Sequence, residues 1–224
     1  MRPFTTIILF LTLTSCKGQN KEQTKEDAFN VSHGVAIERI DSTLLKEIRF
    51  VHFDNSEGVI FPAEYGKQKF GKNMWWEKRI FFTPDTNLIK QIDTAIINQY
   101  CVAMRRFNDA VWNRTIENLE DDSEKKSLAT AKQQMAEDKK RFEESCPKWQ
   151  KELEYYDKQY IGFVTQQGEQ IIYIQLLDFR QDPYKLRQQF TTLWIDGWHG
   201  WFETNTMTFH YHVEKKLLTK NEDM

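Results

Sequence analysis

The sequence predicts an α+β domain in which a mixed, mainly antiparallel sheet is packed by a long antiparallel helical hairpin. Apolar residues recur at three- and four-residue steps from about 85 to 118, which is typical of an amphipathic helix. From residue 160 onward the pattern changes to short apolar runs separated by turn residues, which is typical of strands. Of the 224 residues, 40% are hydrophobic. About 190 residues remain after an N-terminal segment is set aside, and that length suits one domain.

Short strands are expected before the hairpin. "EIRFVHFD" (47–54) and "WWEKRIFF" (75–82) alternate in their pattern, and "GVIFP" (58–62) is an apolar run stopped by proline. The intervening "YGKQKFGKN" (65–73) is expected to be a loop.

The helical hairpin is predicted over about 85–118 and 123–145. Thr83 can cap the first helix, and Pro84 suits its first position. The second helix carries only a narrow apolar stripe of Leu128, Met135 and Phe142 at heptad spacing, so it is expected to pack on the outside of the first.

Two cysteines, Cys101 and Cys146, are either a disulfide or two separate buried thiols. If the turn lies near residue 120, Cys101 faces about residue 139, so Cys146 lies roughly 10 Å too far along the second helix. A disulfide would then require that helix to end or bend before Cys146, and Pro147 favours such a bend. The sequence leaves both readings open.

The sheet is predicted to continue with a hairpin around Gln167 and Gly168. The run 171–177 is apolar at nearly every position, so it is expected to be a central strand buried on both faces. A closing β-hairpin is expected at 198–214, with its turn at Thr204 and Asn205.

Strand alternation in this closing hairpin collects His199, His210 and His212 on one face. Imidazoles at that spacing can share a zinc ion, and an open coordination position would make the zinc catalytic. Trp198 and Trp201 are candidates for binding a flat ligand such as a sugar ring. The third interpretation is an ordinary structural sheet face, and in that case no cofactor is required.

Charge and motifs narrow the functional classes. The formal net charge is −2 and the isoelectric point is about 6.2, which argues against nucleic-acid binding. The chain has no phosphate-binding loop and no nucleophile elbow, so no catalytic residue is assigned from the sequence.

The N-terminus has the form of an export signal: one basic residue, Arg2, precedes an apolar run from Phe4 to Thr14. Leu13-Thr14-Ser15-Cys16 then resembles a lipobox, the cleavage site of bacterial lipoprotein precursors. That resemblance implies removal of residues 1–15 as a signal peptide and attachment of acyl chains such as palmitate through Cys16. Residues 16–34 are polar and are expected to form a flexible tether to a domain spanning 35–224.

Three further segments, "TPDTNLIKQI", "DKQYIGFVTQQGEQIIYIQ" and "DGWHGWFETNTMTFHYHVEKKLL", resemble small lipoproteins of Bacteroidota-type bacteria, which have no assigned activity. The resemblance implies a protein anchored to a bacterial membrane, with its domain facing the periplasm or the cell exterior.

The leading functional prediction is a non-enzymatic envelope module that binds a protein or glycan partner. The alternative is a zinc-dependent hydrolase that uses His199, His210 and His212.

Overall fold

The computed structural model describes residues 42–72, 76, 78–121, 125–197 and 200–220, all within one compact unit. The predicted α+β class is confirmed, because helices pack on a seven-stranded, mostly antiparallel sheet. The strands are β1 (Arg49–His52), β2 (Glu57–Ile60), β3 (Ile80–Phe82), β4 (Asp157–Val164), β5 (Gln170–Leu177), β6 (Thr206–His212) and β7 (Leu217–Thr219). The helices in the described ranges are α1 (Ala63–Phe70), α2 (Thr86–Asp121), α3 (Lys125–Glu152) and α4 (Trp201–Asn205).

The sheet has the strand order β1-β2-β4-β5-β6-β7, and β3 pairs with the far half of β4. Among the strand pairs of the described residues, only β2–β4 is parallel. The connection between these two strands contains α1, β3, α2 and α3, as expected for a parallel pair that needs a long crossover.

One face of the sheet packs against the first half of α2. Buried side chains on the helix recur at three- and four-residue steps and form a single stripe. They meet alternate residues of the central strands, because successive side chains of a strand point to opposite faces. The helix contributes Ile89, Ile92, Ile96, Tyr100 and Ala103, and the strands contribute Tyr160, Ile172, Ile174, Leu176, Phe209 and Tyr211.

An aromatic layer covers the other face. The Tyr173 ring of β5 lies 5.3 Å from Trp76, 6.0 Å from Phe70 and 5.1 Å from Trp194, measured between ring centroids. Aromatic pairs at such distances contribute about 0.5–1.5 kcal/mol each beyond their buried area. The run 171–177, which was predicted to be a strand buried on both faces, is therefore a central strand of the sheet, as expected.

Two predictions before the hairpin are wrong. The segment 65–73, expected as a loop, lies largely in α1, and Tyr65, Gly66 and Phe70 of this helix are buried. Among the described residues of the run 75–82, a strand forms only at Ile80–Phe82. The reason is local: α1 supplies aromatic side chains to the layer over the sheet, and Trp76 turns back into the same layer.

Both helices of the hairpin run further than predicted. The first ends at Asp121 and the second continues to Glu152, so Pro147 lies inside α3 and does not end it. Core contacts hold the chain on both sides of this proline, because Cys146 before it and Leu153, just after the helix ends, are both buried. None of the described helices is both long and apolar enough to span a membrane.

The closing β-hairpin predicted at 198–214 is wrong in its first half. Trp201–Asn205 form the short helix α4, and β6 pairs instead with β5 and β7. Gly200 has φ = 65°, a left-handed conformation that starts the turn into α4. At Gly197 a Cβ atom would collide with the Phe202 ring, so this glycine allows the close packing of α4.

A buried amide holds the chain between β5 and α4 against the sheet. The Gln159 side chain of β4 is fully buried. Its Nε2 donates to the carbonyl oxygens of Phe190 (2.8 Å) and Leu193 (2.6 Å), and its Oε1 accepts from the N–H of Ile195 (2.8 Å). One side chain therefore satisfies three backbone groups of an irregular segment.

Replacing Gln159 with Leu should lower the free energy of unfolding by about 2–4 kcal/mol, because three buried backbone groups lose their partner. Urea denaturation measures the change. Gln133→Leu is the matched control, since Gln133 is exposed and bonds only to Glu137 in the next turn; its effect should stay within about 0.5 kcal/mol. Equal stability of the two variants would contradict the role given to Gln159.

Candidate functional site

The aromatic ligand platform predicted in the closing segment does not form at Trp201. This side chain is only 6% exposed, and its Nε1 donates to the carbonyl oxygen of Gln181. Its ring stacks on Phe179 with centroids 5.6 Å apart and an interplanar angle of 18°. Trp201 is therefore part of the core, and its predicted companion Trp198 lies outside the described residues.

His210 is also buried, with 3% of its surface exposed. Its ring lies 5.9 Å from Phe163 and 5.2 Å from Tyr173, measured between centroids. Its Nε2 has no hydrogen-bond partner among the described residues. Burial lowers the pKa of His210 to about 3, and the positive charges of Arg79, His212 and Lys220 contribute to this shift. The imidazole is therefore neutral at physiological pH.

His212 lies near the same edge of the sheet but has different contacts. Its Nε2 is 3.3 Å from Thr219 Oγ1, and its Nδ1 is 3.8 Å from Glu169 Oε2. His199 lies outside the described residues. Within the described parts of the chain, no group of three or more His, Cys, Asp or Glu side chains has the arrangement of a metal site.

The predicted closing hairpin would pair the strand that carries His210 with the segment just before it, and this pairing is not observed. His210 instead lies between Tyr173 of β5 and Thr219 of β7. At His210 this face is therefore covered by the aromatic layer around Tyr173 and is not an open, solvated surface.

A lysine–serine contact elsewhere in the sheet resembles a nucleophile and its base. Lys158 is fully buried, and its Nζ lies 2.9 Å from Ser56 Oγ. The same Nζ also lies 2.8 Å from the Tyr156 carbonyl oxygen and 3.1 Å from Asp93 Oδ1. Burial lowers the pKa of Lys158, and the nearby Asp93 carboxylate acts in the opposite direction. This cluster stabilises the fold by joining β4 to α2 and to the β1–β2 turn.

A disulfide joins Cys101 of α2 to Cys146 of α3, with their Cα atoms 5.8 Å apart. The midpoint between the end of α2 and the start of α3 is residue 123, which places Cys101 opposite residue 145. Cys146 was expected too far along the second helix because the turn was placed three residues too early, and no bend before Cys146 is needed.

Beyond the disulfide, the hairpin extends away from the sheet as an arm, defined here as residues 105–121 and 125–145. Its 17 residues on α2 span about 25 Å at 1.5 Å per residue. No described side chain in 105–119 or 127–145 is buried, whereas the first half of α2 supplies five core residues. The seam between the helices is apolar but only half-buried; it comprises Phe107, Trp112, Ile116, Leu119, Leu128, Ala131, Met135 and Phe142.

The arm contains a cavity of about 180 Å³ just beyond the disulfide. Two ion pairs join the helices beside it: Lys139 Nζ lies 2.8 Å from Asp109 Oδ1, and Arg105 lies 3.6 Å from Glu143 Oε1. The cavity is lined by Arg105, Asn108, Asp109, Trp112, Asp138, Lys139, Phe142 and Glu143.

The cavity in the arm was not predicted from the sequence. Its only sequence signal is the heptad stripe Leu128, Met135 and Phe142 on an otherwise charged helix, together with Trp112 on the facing helix. That pattern predicts a two-helix seam but not the gap within it.

His210→Phe should reduce the loss of stability at acid pH. The folded pKa of His210 is about 3, below its ordinary value, so its contribution is complete above about pH 6.5 and is lost as pH falls toward 3. Between pH 7 and pH 4 this loss amounts to roughly 3 kcal/mol. Phenylalanine keeps a ring against Phe163 and Tyr173 but does not titrate. Urea denaturation at both pH values measures the difference, and an unchanged decline in the variant would contradict it.

Comparisons with known proteins provide no further assignment for this site. No protein-family model matches the chain, no curated protein matches it, and no solved structure matches it. Its function is therefore argued from its residues and their geometry.

Proposed function

We propose that this chain is an exported lipoprotein of the bacterial envelope and that its arm is the surface that binds a partner protein. It acts as a binding module and not as an enzyme. The observation that carries the proposal is the arm itself, a disulfide-joined pair of helices whose apolar seam is only partly buried.

The membrane anchor in this proposal rests on the sequence. Cys16 follows an apolar run and completes the lipobox-like Leu13-Thr14-Ser15-Cys16. Two or three acyl chains on this residue give stable anchoring, because each buried CH₂ group contributes about 0.8 kcal/mol. Incorporation of labelled palmitate that is lost in Cys16→Ser tests the anchor; equal labelling of both chains would refute it.

The disulfide supports export. Disulfides persist in oxidising compartments such as the bacterial periplasm and are rare in the cytosol. The Cys101–Cys146 bond closes a loop of 45 residues that contains the whole arm. In the chain-entropy account, which is model-dependent, a loop of this length corresponds to about 4 kcal/mol of stabilisation. The bond thus holds together the base of two helices that bury little of their own surface.

The partly buried apolar seam of the arm supports binding of a partner protein. Most of the stability of helices in proteins comes from packing an amphipathic face. In the arm, that face is buried only in part by the second helix, and apolar side chains such as Val111 (37% exposed) lie beside it. A partner that covered the seam would remove this apolar surface from water, at about 25 cal/mol per Å².

The shape of the arm favours a protein partner over a glycan. An apolar strip about 25 Å long between two helices matches the way a helix or an extended segment packs into a groove.

A zinc-dependent hydrolase using His199, His210 and His212 remains the second candidate. The observation in its favour is the buried His210 Nε2, which has no hydrogen-bond partner among the described residues. A catalytic zinc needs an open coordination position, and the rings around His210 enclose it. One equivalent of zinc in the purified full chain, lost in His210→Ala, would favour the hydrolase and contradict the binding proposal.

Photo-crosslinking in cells tests the binding proposal directly. A benzoylphenylalanine at position 111, on the arm, should give one discrete adduct with another envelope protein. The same residue at position 80 is the matched control, because Ile80 is 71% exposed but lies on β3 at the sheet. Adducts of equal yield from both positions, or none from position 111, would contradict a binding surface on the arm.

A further inference from the structure

The cavity in the arm has the size of a single ring. Its volume is about 180 Å³. An engineered protein cavity of about 150 Å³ holds benzene, whereas sites for drug-sized ligands span about 300–1,000 Å³. The cavity lined by Trp112 and Phe142 therefore has room for one six-membered ring, and it is too small for an oligosaccharide or a nucleotide.

The lining is aromatic on two sides and charged at the rim. Trp112 of α2 and Phe142 of α3 are both half-buried and contribute ring surface. The rim carboxylates already have cationic partners: Asp109 pairs with Lys139, Glu143 with Arg105, and Asp138 with Arg141. Such a site presents apolar walls to the ring and acceptor oxygens to a hydroxyl at its edge.

We propose that this cavity is a socket for a tyrosine side chain of the partner protein. The phenol ring lies between Trp112 and Phe142, and its hydroxyl meets the polar rim at Asn108 and Asp138. Aromatic side chains that enter well-packed pockets carry a large share of the binding energy at protein interfaces. The inference rests on the proposed function of the arm, and it names the chemistry that the partner presents there.

The position of the socket supports this role. It lies close to the disulfide, where Cys101 and Cys146 hold the two helices at a fixed spacing. The Arg105–Glu143 and Lys139–Asp109 pairs join the same two helices beside the cavity. The walls are thus held in place before the ring enters, which lowers the conformational cost of binding.

Fluorine NMR of the full chain, held in lipid nanodiscs and labelled with 5-fluorotryptophan, tests the socket with p-cresol as the probe. The Trp112 resonance is identified by its loss in Trp112→Phe. It should shift saturably with p-cresol and stay unchanged with methyl β-glucoside. The Trp201 resonance is an internal control, because this residue is buried against Phe179 in the core and does not line the cavity.

A cavity-filling variant provides the matched pair. Asn108→Phe places a ring in the socket and should weaken the p-cresol response about tenfold or more, a factor equivalent to ~1.4 kcal/mol. Asn113→Phe makes the same change at an exposed position of the same helix and should leave the response unchanged. Circular dichroism of both variants checks that the helices are retained.

The proposal is overturned if p-cresol gives no saturable Trp112 shift, if Asn108→Phe keeps the full response while folded, or if only the glucoside shifts the resonance. Failure of the socket is distinguishable from failure of the proposed function. A crosslink from position 111 with no p-cresol response retains the binding arm and removes the socket. A p-cresol response with no crosslink retains a ring-binding cavity and removes the partner.

Discussion

Burial of both faces of β4 and β5 is the constraint around which the described domain is built. One face packs on the first half of α2, and the other is covered by an aromatic layer centred on Tyr173. Polar side chains caught between these layers must find partners, because an unpaired buried group costs about 1–3 kcal/mol. Gln159 and Lys158 meet this demand by bonding to neighbouring backbone and side chains, and in doing so they fix the irregular segments around the sheet.

The arm follows from the same arrangement. The sheet covers α2 only as far as Ala103, while the helix continues to Asp121. Beyond that point α3 is its only described helical neighbour. The apolar side chains between the two helices are therefore only partly buried. The disulfide lies where sheet contact gives way to helix contact, so it stabilises the part of the hairpin that the core no longer supports.

Local patterns in the sequence predicted the elements whose burial follows a simple period. The apolar run of β5 indicated a central strand, and the three- and four-residue steps of α2 indicated the long helix. The prediction for the closing segment was wrong because its alternating pattern corresponds to a strand only in β6. Before β6, Gly200 with its positive φ leads into a helix of five residues. His210 belongs to a buried layer despite its polar type. The cavity depends on the distance between the two paired helices, and a local sequence pattern does not predict that distance.

Hydrogen exchange of the full chain, compared between native envelope vesicles and the purified protein, tests the central claim that the arm is a partner-binding element supported only at its base. Amides of β4 and β5 should exchange equally slowly in both states. Arm amides at 105–119 should exchange quickly in the purified protein and about tenfold or more slowly in the envelope, a factor equivalent to ~1.4 kcal/mol. Equal rates for the arm in both states, or core-like protection of the purified arm, would contradict the account.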